Sequence, residues 1–172
     1  MSVSKNIICD DVVVVALGSN LAGEYESTRA LLEATLARFP SYGMNIGAIS
    51  GFWRSAAWPE PSDPPFLNAV AAVDTNLDPR RIMRQLLELE ASFGRRRNVA
   101  NGPRTLDLDL VAFGRDIIAE PALTLPHPRA HLRRFVMGPL AQICPTWRHP
   151  TLGRTAADLA SDTSVGLDAT PV

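Results

Sequence analysis

The residue pattern predicts an α+β fold: an antiparallel sheet of βαββαβ order with helices packed on one face. Three observations predict it. A β-branched apolar run, "VVVVAL" at Val12–Leu17, is followed by a stretch with helical spacing. "DPRRIMRQLLELEASFG", from Asp78 to Gly94, carries an aspartate cap, a proline at the first helical position and a glycine stop. "TLDLDL", from Thr105 to Leu110, alternates leucine with aspartate, the period of a strand with one buried face.

Taken in order, Val12–Leu17 reads as a strand covered on both faces, ending at Gly18-Ser19-Asn20. Ser19 and Asn20 either cap a helix or line a ligand site. A helix is expected from about Glu24 to Phe39, a second strand over Met44–Trp53 and a third over Phe66–Asp74. Between those strands lies "RSAAWPEPSDPPF", whose prolines at Pro59, Pro61, Pro64 and Pro65 exclude regular structure. It is too long for a hairpin turn, and long ordered loops in small domains are often functional. The Asp78–Gly94 helix leads into a second irregular segment, Arg95–Arg104, and then the aspartate strand. An edge strand near Asp116–Ala119, a loop at "LPHP" and a short helix near Met137–Ile143 follow. Beyond Pro145 a further short helix is expected at Ala156–Ala160, in a tail expected to fray. This order is the ferredoxin-like, split βαβ arrangement. Functional residues are then expected on the sheet face without helices and in the two long loops, although the fold alone names no activity.

With 172 residues, 46% hydrophobic and 20% charged, the chain fits one domain spanning 1–172, with a core at about 12–145 and a tail at 146–172. No apolar run approaches the ~18 residues of a membrane span, and no signal-peptide pattern opens the sequence, so a cytoplasmic location without a membrane partner is expected. The net charge of −1 argues against a surface built for nucleic acid. Cys9 and Cys144 lack the spacing of a disulfide framework or zinc site. Lys5 is the only lysine among 17 basic residues, which excludes a Walker P-loop lysine or an interior Schiff base.

Asp107 and Asp109, two apart on a strand, project from one face about 6.5 to 7 Å apart. Two such carboxylates can hold magnesium ions whose remaining ligands are waters and phosphate oxygens. The competing reading is an amphipathic strand with a solvated outer face. Arg95, Arg96, Arg97 and Arg104 sit in the preceding loop, and guanidinium groups pair with phosphate oxygens. Together, carboxylates and arginines specify a metal-bound polyphosphate better than either alone. Trp58, Phe66 and Phe135 could stack on a flat heterocycle whose edge Asn68 reads, or could pack in the core. His127 could donate to a phosphate.

"VALGSN", "FLNAV", "GPRTLDLDL" and "LTLPHPR" occur in the order and spacing of 6-hydroxymethyl-7,8-dihydropterin pyrophosphokinases, the folate-pathway enzymes, and the chain resembles that family over Val12–Pro145. The resemblance implies transfer of the diphosphoryl group of ATP to the pterin hydroxymethyl oxygen, with release of AMP. It implies two magnesium ions on Asp107 and Asp109, catalytic roles for Arg104 and for Arg95 or Arg96, and ATP contacts from Glu90, Arg97, Thr124, His127 and Arg133. Asn68 would read the pterin edge and Phe135 would stack on it, with Gly18, Ser55, Trp58 and Phe66 also lining that pocket. The two irregular segments would close over both substrates, and a monomer is expected. This chain departs from the family pattern at Asn101, where a tryptophan commonly precedes "GPR", at Ala122, where a polar residue is usual, and at Pro128, where an aromatic is common. A metal-dependent phosphodiesterase would need more ligands, an RNA-binding module would need a basic surface with exposed aromatics, and a non-catalytic pterin binder would leave the arginines unused.

Overall fold

The structure, a computed structural model, describes residues 9–94 and 105–172. β1 (Val13–Ser19) is buried at every position, as an uninterrupted apolar run requires when both faces are covered. α1 (Thr28–Arg38) begins where Ser27 Oγ accepts a hydrogen bond from Ala30 N at 3.1 Å. It starts later than Glu24 because a turn, closed by Tyr25 N donating to Ala22 O at 3.0 Å, intervenes.

The strand expected over 44–53 is interrupted, giving β2 (Asn45–Ile49) and β3 (Trp53–Ser55), both antiparallel to β4 (Phe66–Asp74). Ser50 makes the break. Its N–H donates to Val70 O while its hydroxyl accepts from Val70 N, both at 2.9 Å, so a side chain replaces a carbonyl in the ladder and the chain swings away.

α2 (Pro79–Ser92) carries the expected cap, Asp78 Oδ1 accepting from Arg81 N at 2.9 Å. β5 (Asp107–Phe113) returns beside β1. β6 (Ile118–Glu120) pairs with β7 (Leu123–Leu125) in a separate two-stranded sheet, so the edge strand expected near 116–119 does not join the main one. α3 (Arg134–Ile143) begins three residues before Met137 and contains Pro139. α4 (Ala156–Ser161) has a capping box between Thr155 and Asp158, and β8 (Thr170–Pro171) pairs with β3. The main sheet has the order β5-β1-β4-β3-β8, with β2 also on β4.

Strand alternation divides the core between the two faces. Val13, Val15 and Leu17 pack with Leu31 and Leu32 of α1 and Ile82, Leu86 and Leu89 of α2. These are the two helices expected on one face. Val12, Val14 and Ala16 face the other way, where Val136, Met137 and Leu140 of α3 meet Trp147 and Leu159. The segment beyond Pro145 is therefore not a fraying tail. Trp147 and Ala169 are fully buried, and β8 extends the sheet, because this face of β1 and β4 is apolar and needs a cover. Among the described residues no helix is long and apolar enough to cross a membrane.

Candidate active site

Two cross-strand rows define the site. Gly18 of β1 lies between Asn68 of β4 and Asp107 of β5, and two residues along, Ala16 lies between Val70 and Asp109. The period of two places both rows on one face. A methyl group on Gly18 would lie 3.3 Å from Asn68 Oδ1 and 3.7 Å from Phe66 Cδ1, so glycine keeps the floor open. Above it is a cavity of about 380 Å³, within the roughly 300–1,000 Å³ of small-molecule sites.

One end of the cavity is aromatic and amide-bearing. Asn68 is buried, and its Nδ2 donates to Ser55 Oγ at 3.0 Å and to Trp53 O at 3.3 Å. Both amide hydrogens are thus engaged by protein, and the Oδ1 acceptor is the atom beside Gly18. Phe66, Trp58 and Phe135 form the walls. Gly18, Ser55, Trp58, Phe66, Asn68 and Phe135, separated by up to 117 positions in sequence (135 − 18), therefore meet in one cavity.

The other end is charged. Leu106, Leu108 and Leu110 are buried against the α1/α2 layer while Asp107 and Asp109 line the cavity, so the strand presents its two sides as the alternation predicts. Among the described residues no group of three or more His, Cys, Asp or Glu side chains could hold a metal. The strand thus offers two carboxylates, an all-oxygen partial donor set that leaves most positions to water and phosphate. That fits magnesium, which keeps waters and substrate phosphates, rather than a closed zinc site.

Asp109 Oδ2 is 3.7 Å from Arg133 Nη1, and the Arg133 guanidinium lies 5.7 Å from the centroid of the Phe135 ring. His127 Nε2 is 3.9 Å from Asp109 Oδ1, too far for a hydrogen bond. Burial pushes the His127 pKa down to about 4, with Arg133 and Arg129 acting in the same direction and Asp107 opposing them. The imidazole is neutral at physiological pH, and because its Nδ1 accepts from Arg129 N at 3.2 Å, the proton sits on Nε2. A bulge in β5 sets this loop: pairing shifts between Val14–Ala112 and Val15–Leu110, and the extra residue, Val111, gives its carbonyl to His127 N at 2.8 Å.

Thr124 lies with His127 on a second cavity of about 240 Å³, and Arg133 on the first. Glu90 lines neither. It is 2% exposed, and Oε1 accepts from Leu108 N at 2.7 Å, gripping the residue between the two aspartates. Asn20 neither caps α1 nor lines the cavity; its Nδ2 donates to Pro64 O at 3.0 Å and ties down the proline-rich loop. Arg95, Arg96, Arg97, Asn101 and Arg104 lie outside the described residues. Sequence reasoning passed over Arg129, although it closes the "LTLPHPR" motif, and also Ser164, Val165 and Gly166, which line the cavity from the C-terminal segment. No local pattern marks those three.

The family model described as 7,8-dihydro-6-hydroxymethylpterin-pyrophosphokinase (HPPK) matches residues 14–145. The chain is 41% identical over 138 residues to the 2-amino-4-hydroxy-6-hydroxymethyldihydropteridine pyrophosphokinase of Pseudomonas aeruginosa, covering 80% of this chain and 83% of that one. It is 36% identical over 147 residues to the protein of the same name from Synechocystis, covering 85% and 73%. Among solved structures, wild-type HPPK-DHPS of Plasmodium falciparum superposes with a TM-score of 0.67 at 12% identity, covering 88% of this chain and 44% of that one, which is a likeness of fold. On its sequence match, the chain belongs to the 7,8-dihydro-6-hydroxymethylpterin-pyrophosphokinase family.

Proposed function

We infer that the chain transfers the diphosphoryl group of ATP to 6-hydroxymethyl-7,8-dihydropterin, giving the pterin diphosphate and AMP, in folate biosynthesis. The observation that carries the reading onto this site is the pair of rows Asn68–Gly18–Asp107 and Val70–Ala16–Asp109 under one cavity. They set an amide acceptor and two carboxylates at opposite ends of a floor that carries almost no side chain.

In this reading the pterin lies at the aromatic end, against Phe66 and Phe135, with Trp58 and Ser55 beside it. Asn68 Oδ1 accepts from an N–H on the edge of the heterocycle, which selects a ring bearing donors there. The hydroxymethyl oxygen then points toward the charged end and attacks the β-phosphorus of ATP, while the bond from that phosphorus to the oxygen bridging the α-phosphorus breaks and AMP departs. Asp107 and Asp109 would hold two magnesium ions, which when bound neutralise the polyphosphate and align it. Arg133, Arg97, Thr124 and the neutral Nε2–H of His127 contact the nucleotide. Glu90 serves that end through its hold on Leu108. Arg95 and Arg104 bear on the charge that develops in transfer. A monomer and a cytoplasmic location belong to the same reading.

The test is incubation with ATP, magnesium and the hydroxymethyl dihydropterin while nucleotide products are resolved. AMP formed only with pterin present is expected. ADP, or ATP cleavage without pterin, overturns the reading.

A further inference from the structure

We propose that the C-terminal segment Ser164–Val172 is a strap that sets the shape of the heterocycle end of the cavity, with Asp168 and Gly166 as positioning residues. The proposal rests on the pterin reading of that end. The segment lies beyond the 14–145 family match, yet Ser164, Val165 and Gly166 are part of the cavity wall.

The strap is attached to two walls that come from distant parts of the chain. At the α3 wall, Val165 N donates to Leu132 O and Arg134 N donates to Val165 O, both at 2.9 Å, while Arg134 Nε donates to Ala169 O at 3.1 Å. At the β3 wall, Asp168 Oδ2 accepts from Ala56 N, Thr170–Pro171 pairs with Trp53–Arg54, and Val172 N donates to Phe52 O at 3.0 Å. Ala56 directly follows Ser55, the hydroxyl that orients Asn68, and precedes Trp58 by two residues. The buried Ala169 lies between the two sets of bonds. A span anchored at both walls fixes the distance between them.

Gly166 adds a second constraint. It has φ +67°, and a Cβ there would fall 2.5 Å from Phe135 Cδ1 and 2.9 Å from Cε1. Contacts that short are excluded, so the Phe135 ring rests directly on the Gly166 backbone, and any side chain would drive the ring out of its place. The Arg133 guanidinium lies 5.7 Å from the centroid of the same ring, which also packs against the second core layer. The strap thus reaches the aromatic wall through Gly166 and the amide wall through Asp168.

Initial-rate kinetics with saturating Mg–ATP, varying pterin and then the reverse, tests this. Asp168→Ala removes one charge-assisted hydrogen bond, and the pterin KM is expected to rise roughly five- to tenfold. Gly166→Ala is expected to raise it by at least as much, with the ATP KM within about twofold of wild type in both variants. Asp168→Asn, whose amide oxygen can still accept from Ala56 N, restores the wild-type pterin KM; a merely structural loss would not show this split. If Gly166→Ala fails to fold, Asp168→Ala decides, because its side chain is exposed. An unchanged pterin KM in folded Asp168→Ala, or parallel loss for both substrates, overturns the proposal. A wild-type protein that forms no AMP with pterin overturns the pterin reading instead, so the two failures are distinguishable.

Discussion

Asp109 stands within 4 Å of a guanidinium and of a neutral imidazole, at 3.7 and 3.9 Å, on the open side of a strand whose other side is core. Asp109→Asn keeps the shape and removes the charge. AMP release is expected to fall by at least about a hundredfold, the scale of losing one preorganised electrostatic contact to the reacting group, with an unchanged thermal midpoint. Near-normal turnover would dismiss the metal-holding role. His149, which lines the second cavity with Thr124 and His127, is 5% exposed, and its Nδ1 accepts from Thr151 N at 3.3 Å and Leu152 N at 3.2 Å. Burial pushes its pKa down to about 4, with His131 adding to the effect. The unfolded imidazole takes a proton near pH 6.5 and the folded one does not. Stability is therefore level above about pH 6.5 and declines as pH falls from there toward about 4. His149→Asn keeps an acceptor in the same turn, and thermal midpoints at pH 7 and pH 5 are expected to differ less in that variant than in wild type. The placement of Asp107, Asp109 and Asn68 on one cavity was legible in sequence because a period of two and a motif are local. Gly166 was not, because its reason for being glycine is a ring 31 positions earlier (166 − 135).

Among the elements, α3 depends on a close approach to the sheet. A Cβ on Gly138 would lie 2.6 Å from Trp53 Cη2 and 2.7 Å from Cζ3, and the indole cannot easily yield because Trp53 is buried and its Nε1 donates to Gln142 Oε1 at 3.1 Å. Gly138→Ala gains up to ~1 kcal/mol of helix propensity but meets an overpacking cost of about 1–3 kcal/mol. A net destabilisation of about 1 kcal/mol, or roughly 2–4 °C in a scan of a domain this size, is expected; an unchanged or raised midpoint would mean that the helix shifts freely. The sequence reading began α3 near Met137, three residues late, and the observed helix runs unbroken through Gly138-Pro139. The split of β2 from β3 was likewise hidden, since nothing local says that the Ser50 hydroxyl will take a place in the ladder.

At the scale of the molecule, the βαββαβ order could be read from the pattern, but the cover on the second face could not. The C-terminal residues have little periodicity of their own and become ordered by what they sit on. Trp147 is the largest fully buried side chain of that layer. Trp147→Ala is expected to cost about 3–5 kcal/mol and to lower the urea midpoint clearly. If the loss is under about 1 kcal/mol, the segment is a decoration rather than half of a core.

The bulge at Val111 shows what this architecture asks of its length. Val14 faces Ala112 and Val15 faces Leu110, so the ladder would close without a gap if residue 111 were excised, and every other pair would keep its partner. The residue is an insertion with respect to the sheet. What it contributes is a carbonyl aimed at His127 and an apolar side chain in the second layer. A strand one residue shorter would still display both aspartates correctly but would leave the histidine loop untethered. The spacing between the carboxylates and the placement of that loop are therefore separately adjustable quantities, the first set by the pleat and the second by a single surplus residue.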